Sequence, residues 1–280
     1  MQPIEVRLIP YKRLSGYENM AIDEYLIYLH ERTGTPMLRV YGWSRPAISL
    51  GRYQRADCLD LEACRRDRID VVRRITGGGA IFHDDELTYS FVCSDALVGI
   101  RDLPIRQSFE KLNSFIIDLY RGFGLRAHFA KDMDKRIGRG PDKSAAFCFS
   151  GRQEYDILVN ARKMGGNAQR RTRGILFQHG SIPLTITIDS IRKYFRTPIE
   201  SGEFTSLNHA LGRKADYPEL ALRLADSFKA MMNAELSIDD MGPRDTDAIC
   251  SIVEKKYIRD RWNLDAGTED NEITRTKAAQ

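Results

Sequence analysis

No stretch of the 280-residue chain approaches the roughly 18 consecutive apolar positions that a membrane-spanning helix needs, and charged residues keep interrupting the apolar runs. The N-terminus, Met1-Gln2-Pro3-Ile4-Glu5-Val6-Arg7, lacks an apolar signal core. The expectation is a soluble cytoplasmic protein with no membrane partner. Cysteine is scarce and odd in number: Cys58, Cys64, Cys93, Cys148 and Cys250. Five thiols without a C-x-x-C pair argue against a disulfide framework. With no His-x-x-x-His either, no metal site is expected. Neither G-x-x-x-x-G-K-[ST] nor G-x-G-x-x-G is present, which removes the P-loop and the Rossmann fingerprint. Repeats and low-complexity segments are also missing. The net charge is only +4, too weak a bias for a nucleic-acid binder.

What is present is the composition of a folded protein, 42% hydrophobic and 29% charged. Strands are expected at 5–10, 37–41, 47–50, 71–74, 80–82, 87–93 and 175–181, and a hairpin pairs 156–159 with 163–168 around Asn160-Ala161. Helices are expected at 18–32, 59–68, 108–123, 219–232 and 246–257. The first is read as amphipathic, capped by Ser15 or Asn19, with Asp23, Glu24 and Glu31 on its polar side. Strands crowd the centre without strict β-α-β alternation. The fold class is therefore α+β (mixed α/β), a mixed central sheet flanked by helices. One catalytic domain is expected over residues 1–262, followed by a polar tail, 263–280. Two basic stretches stand out: Arg162, Lys163, Arg170, Arg171 and Arg173 with no acid between them, and Lys131–Lys143. Such stretches suit an acidic partner.

Three segments carry chemistry. In the first, Arg73-Arg74-Ile75-Thr76-Gly77-Gly78-Gly79 follows a strand and leads to His83. Gly77, Gly78 and Gly79 let backbone approach a ligand closely, and Arg73 and Arg74 can hold an acidic group. In the second, Cys148 precedes Lys163 by fifteen residues among basic side chains that favour a thiolate. Gly166, Asn167 and Ala168 follow. The third, Phe177-Gln178-His179-Gly180-Ser181, offers a second histidine. His83 and His179 each organise a site or move a proton, with a structural hydrogen-bonding role as the alternative.

These blocks, with Asn19-Met20-Ala21-Ile22-Asp23-Glu24, resemble the lipoate ligase and octanoyltransferase superfamily, whose fold is similar to that of biotin protein ligases. Within it, the chain looks like the LipM-type octanoyltransferases. The likeness rests on Arg39-Val40-Tyr41-Gly42-Trp43, His83-Asp84-Asp85-Glu86-Leu87-Thr88-Tyr89-Ser90, Cys148-Phe149 with Tyr155, and Lys256-Tyr257 with Trp262-Asn263. Gly79, Gly166-Asn167-Ala168 and Gly151-Arg152-Gln153 depart from that pattern. The resemblance implies octanoyl transfer from octanoyl-acyl carrier protein to a lysine of lipoyl domains, those of 2-oxoacid dehydrogenases or the glycine cleavage H protein. Cys148 is then the nucleophile and Lys163 the oxyanion donor. Arg73, Arg74, Gly77, Gly78, Gly79, His83, Gly166, Asn167, Ala168 and His179 bind the acyl substrate. No cofactor is implied. The alternatives are an ATP-dependent lipoate ligase, which would use ATP and Mg and need a separate accessory chain, and a non-catalytic acyl-binding module.

Overall fold

The computed structural model describes residues 2–133, 153–199 and 204–265. The strands are β1 (Ile4–Leu14), β2 (Met37–Trp43), β3 (Ala47–Leu50), β4 (Asp70–Arg73), β5 (Ile81–His83), β6 (Glu86–Ser94), β7 (Ala127–Phe129), β8 (Ile157–Val159), β9 (Arg162–Lys163), β10 (Gly166–Thr172), β11 (Ile175–Pro183) and β12 (Ala234–Ile238). The main helices are α1 (Gly16–Thr33), α2 (Leu61–Arg66), α3 (Ile105–Gly122), α4 (Ile188–Ile191), α5 (Leu207–Leu211), α6 (Tyr217–Met232), α7 (Pro243–Ile252) and α8 (Asp260–Asn263). The class is the expected mixed α+β. None of the described helices is long and apolar enough to cross a membrane.

A six-stranded mixed sheet, ordered β10-β11-β6-β2-β1-β12, forms the centre. β1 runs parallel to β2 and β12, while β2, β6, β11 and β10 pair antiparallel in turn. The period of two sorts its residues between two cores. Leu38 and Val40 of β2, with Tyr89 and Phe91 of β6, pack with Phe115 of α3 and Phe228 of α6. Met37, Tyr41 and Trp43 of β2, with Val92 and Phe177, pack with Leu26 of α1 and Ile249 of α7. Among the described residues there are also two three-stranded sheets, β4-β3-β5 and β7-β8-β9.

α1 begins where the chain can satisfy its first amides. Ser15 and Glu18 form a reciprocal capping box, so Ser15 is the cap and Asn19 is not. Gly34 ends the helix in the left-handed region at φ 70°. The helix is not amphipathic in the expected sense, because Asp23 and Glu24 are as buried as its leucines. It lies between the large sheet and the C-terminal helices, so only Glu31 of the three acids reaches solvent.

The expected helix at 246–257 starts earlier, at Pro243, and its last turn, Val253–Tyr257, is π-helical. In that turn Lys256 and Tyr257 both reach Glu24. Lys256 Nζ donates to both carboxylate oxygens at 2.8 and 2.6 Å, and the Tyr257 hydroxyl donates at 2.6 Å. Asn263, assigned from the sequence to a polar tail, is buried instead. Its side chain accepts from the Arg73 amide at 3.0 Å and donates to the Tyr257 carbonyl at 2.6 Å.

The expected hairpin is also shorter. β8 pairs with β9, but Met164-Gly165 ends the pairing, and β10 crosses to the large sheet. Gly165, at φ +72°, makes that crossing over the Ser181 carbonyl, where a Cβ would overlap the oxygen. Two strands went unread in the sequence, β7 and β12, because each is short and borrows its stability from a distant partner.

Candidate active site

Strand alternation assembles one polar face. Ala168, His179, Ser90 and Arg39 stand in register across β10, β11, β6 and β2, and Gly166, Ser181, Thr88 and Tyr41 form the next row. The small sheet supplies Ser49 from β3 and Ile81 and His83 from β5. Between the two sheets lies a small, partly open pocket whose apolar side is Met20, Tyr41, Trp43 and Ile81. Ser49, Arg74, His83, Thr88, His179 and Ser181 give it polar groups, while Gly166, Ala168 and Gly180 leave it room.

Two hydroxyl–imidazole–carboxylate chains meet there. In the first, Ser49 Oγ lies 2.7 Å from His83 Nε2, and His83 Nδ1 lies 2.7 Å from Glu86 Oε1. Glu86 also accepts from Trp43 Nε1 at 3.0 Å, Thr88 Oγ1 at 2.6 Å and Ser181 Oγ at 2.6 Å. Burial alone would raise its carboxyl, but His83, Ser181 and Thr88 together hold it below the usual carboxylate range. The His83 ring stacks on Trp43 at 4.0 Å.

In the second chain, Thr76 Oγ1 lies 2.6 Å from His179 Nε2, and His179 Nδ1 is 3.5 Å from Asp23 Oδ2. Asp23 also accepts from Arg39 at 2.9 Å, Ser90 at 2.8 Å and Tyr41 at 2.9 Å. Burial opposes its charge, yet the bond from His179 and the Arg39 guanidinium keep it ionised, below the ordinary value. Burial pushes His179 down, and Arg74 and His83 add to this against the pull of Asp23.

His179 therefore couples stability to pH. Its folded value lies below the unfolded one, so the unfolded chain binds more protons in that window. The contribution of neutral His179 is complete above about pH 6.5 and is lost as pH falls below it. Urea unfolding midpoints of the native protein are expected to drop between pH 7.5 and 5.0, with a shallower drop in His179→Gln. Equal slopes in the two proteins would count against the buried neutral imidazole. Asp23, Glu24 and Glu86 act at lower pH, since depressed carboxyls lose their contribution as pH falls below about 4.

Of the residues expected to bind substrate, Arg74, His83, Gly166, Ala168 and His179 come together at the cavity. Asn167 does not, because alternation turns it to the opposite face. There its Oδ1 accepts from the Tyr89 hydroxyl at 2.9 Å. Arg73 does not either. Its guanidinium is fully buried and donates to the carbonyls of Gly51, Arg52, Gln54, Trp262 and Asn263. It holds the C-terminal segment rather than an acidic ligand. Arg74 binds the glycine loop from within, donating to the carbonyls of Gly77 and Gly79 at 2.7 and 2.8 Å and to the Ser49 carbonyl at 2.8 Å. Gly77 and Gly78 themselves are exposed, and Gly79 is half-buried.

Lys163 sits in the third sheet, buried, with its ammonium 2.9 Å from Asp156. Cys148 lies outside the described residues, as does most of the 131–143 stretch. Part of the Arg162–Arg173 stretch turns out to be structural. Arg171 donates to the carbonyls of Ile100 and Leu103, and Arg170 to that of Ile75. Lys131 pairs with Glu110 at 2.6 Å. The sequence reading gave no role to Ser49, Thr76, Ser181 or Met20. The only local signal was their position on strands or helices whose other residues carried motifs.

The model of the lipoyl protein ligase A/B catalytic domain family matches residues 15–229. The chain is 32% identical over 251 residues to octanoyltransferase LipM of Oceanobacillus iheyensis, covering 85% of this chain and 89% of that one. It is 33% identical over 273 residues to octanoyltransferase LipM of Symbiobacterium thermophilum, covering 92% and 97%. Among solved structures it is similar to a lipoate-protein ligase A bound with ATP, with TM-score 0.76, 21% identity, and 94% and 99% of the two chains covered. It is also similar to a bi-partite lipoate protein ligase from Thermoplasma acidophilum studied with its E2 lipoyl domain, with TM-score 0.74, 19% identity, and 94% and 97% covered. At these identities the solved structures speak for the fold.

Proposed function

This chain belongs to the lipoyl protein ligase A/B catalytic domain family, and we propose that it moves octanoyl from octanoyl-acyl carrier protein to a lipoyl-domain lysine through a thioester on Cys148. It is an acyltransferase, and its reaction is octanoyl transfer in protein lipoylation. The observation that carries the reading is its likeness over nearly the whole chain to relatives named octanoyltransferase.

The chemistry needs two steps. Cys148 thiolate attacks the donor thioester, a sulfur-for-sulfur exchange that is nearly isoenergetic and calls for no ATP or other cofactor. The acceptor amine then attacks the acyl-enzyme. Lys163 is the proposed donor to the developing oxyanion, and Asp156, 2.9 Å from its ammonium, fixes its direction. The apolar side of the cavity takes the acyl chain. Eight carbons at ~0.8 kcal/mol per CH₂ give about 6 kcal/mol of gross binding, enough to make chain length matter. Exposed Arg162 and Arg173, in the described part of the basic stretches, are offered to an acidic carrier or lipoyl domain. The acceptors are lipoyl domains of 2-oxoacid dehydrogenases or the glycine cleavage H protein, in the cytoplasm.

The test is transfer from octanoyl-acyl carrier protein to an apo lipoyl domain, with and without ATP, followed by mass mapping of the enzyme. Transfer without ATP and an octanoyl adduct on Cys148 are expected. Cys148→Ala is expected to lose on the order of 10³-fold or more in rate. An acyl adenylate formed from free acid and ATP, with Cys148→Ala fully active, would overturn the reading in favour of a ligase.

A further inference from the structure

We propose that Ser49, His83 and Glu86 form a proton relay serving the acceptor amine, an inference that rests on the acyl-transfer reading. A lysine amine is almost wholly protonated at neutral pH, so the second half of the reaction gains rate from a base beside the acyl group. The cavity holds such a base.

The direction of the relay follows from the hydrogen bonds. Glu86 is enclosed by four donors, those of Trp43, His83, Thr88 and Ser181, and none of its partners can accept only. An ionised carboxylate in that cage requires the proton of neutral His83 to sit on Nδ1. Nε2 is then an acceptor, and the Ser49 hydroxyl donates to it across 2.7 Å. Arg74 Nη1 reaches Ser49 Oγ from another side at 3.3 Å, so a guanidinium faces the oxygen whose proton points at an imidazole. Both Ser49 and His83 line the cavity. Trp43, stacked on the ring and bonded to the same carboxylate, prevents the imidazole from turning.

The companion set is less suited to this task. His179 Nδ1 is 3.5 Å from Asp23, and its hydroxyl partner Thr76 is not among the cavity-lining residues.

The relay first takes the ammonium proton of the acceptor lysine: it passes to Ser49 Oγ while the Ser49 hydroxyl proton passes to His83 Nε2. The freed amine nitrogen then bonds to the acyl carbon, the carbon–sulfur bond breaks, and the leaving sulfur takes the nitrogen's second proton. The imidazolium lies against Glu86 and later returns its proton to water. Ser49 and His83 are the catalytic residues of the relay, and Glu86 is a positioning residue. The charged and titratable groups around His83 are Glu86 on β6, Arg74 beside Ser49, His179 across the cavity and Asp84 next in the chain.

The test compares two acceptors, an apo lipoyl domain and hydroxylamine, with octanoyl-acyl carrier protein as donor. Hydroxylamine is unprotonated at neutral pH and has little need of a base. In Ser49→Ala and in His83→Gln, the ratio of lysine transfer to hydroxylamine transfer is expected to fall ~10²-fold or more. Glu86→Gln should lower the ratio less and displace the pH profile. Thermal unfolding checks that each variant is folded, and Ser49→Thr, which keeps the hydroxyl, should recover the ratio. A folded Ser49→Ala or His83→Gln that slows both acceptors equally, or neither, overturns the relay. Absence of transfer in the unsubstituted enzyme overturns the acyl-transfer reading itself, and the relay with it.

Discussion

Asp23→Ala is expected to lower the unfolding free energy by about 3–5 kcal/mol, the range measured when one partner of a buried ion pair is removed. Asp23 and Arg39 are each about 2% exposed in their side chains, and their charged atoms lie 2.9 Å apart. The guanidinium would keep the Tyr41 ring, 3.8 Å away, and Asn19, whose carbonyl accepts at 3.1 Å and whose Oδ1 accepts at 2.6 Å. Ser90, Tyr41 and His179 would lose their acceptor in the same stroke. The melting temperature should fall by on the order of 10 °C. Urea unfolding measures the loss directly, and a loss under about 1 kcal/mol would contradict the assignment of Asp23 as the charge that holds α1 to β2. The double variant Asp23→Leu, Arg39→Met is the informative control. If the penalty comes from a stranded charge, the double variant should be more stable than Asp23→Ala alone.

Gly51→Ala is expected to reduce transfer on the order of 10²-fold while costing roughly 1–3 kcal/mol of stability. A Cβ at Gly51 would overlap the carbonyl oxygen of Gly78, with the Gly78 carbon 2.9 Å and nitrogen 3.2 Å away. These are backbone atoms, so no rotamer change relieves the clash. The Gly77–Gly79 loop must move, and it is tied to Arg74 through two carbonyls. Arg74 in turn touches Ser49, so displacement of the loop reaches the cavity. Much of the loop is exposed, which limits the cost to folding. Gly122→Ala, at the end of α3, where a Cβ would make only an ordinary 3.9 Å contact with Arg223, serves as the control and should leave the rate unchanged. Steady-state transfer with both variants decides the matter. A fully active Gly51→Ala would mean that the loop does not set the site.

Arg73 and Arg74 show where reading along the chain stops. Two adjacent arginines before three glycines look equivalent in sequence. At the end of β4 they face different ways, so Arg73 meets the C-terminal carbonyls and Arg74 meets the glycine loop. The same alternation removes Asn167 from the cavity while leaving Gly166 and Ala168 on it. Glu24 and Asp23 looked like the polar side of an amphipathic helix. Their burial came from Lys256, Arg39 and Tyr257, residues up to 233 positions away.

Local rules therefore settled the mixed α+β class, the order of most strands and helices, the Ser15 cap and the segments where chemistry gathers. These depend on periodicity, capping and turn residues within a few positions of one another. The motif resemblance also placed the chain in its family. Which residue of each motif faces the cavity was decided only in three dimensions. It depends on strand register and on how the small sheet lies against the large one, both set by packing between distant segments. Ser49 is the clearest case. Nothing within Ala47–Leu50 marks it, and its hydroxyl matters because β5 and β6 bring an imidazole and a carboxylate into line behind it.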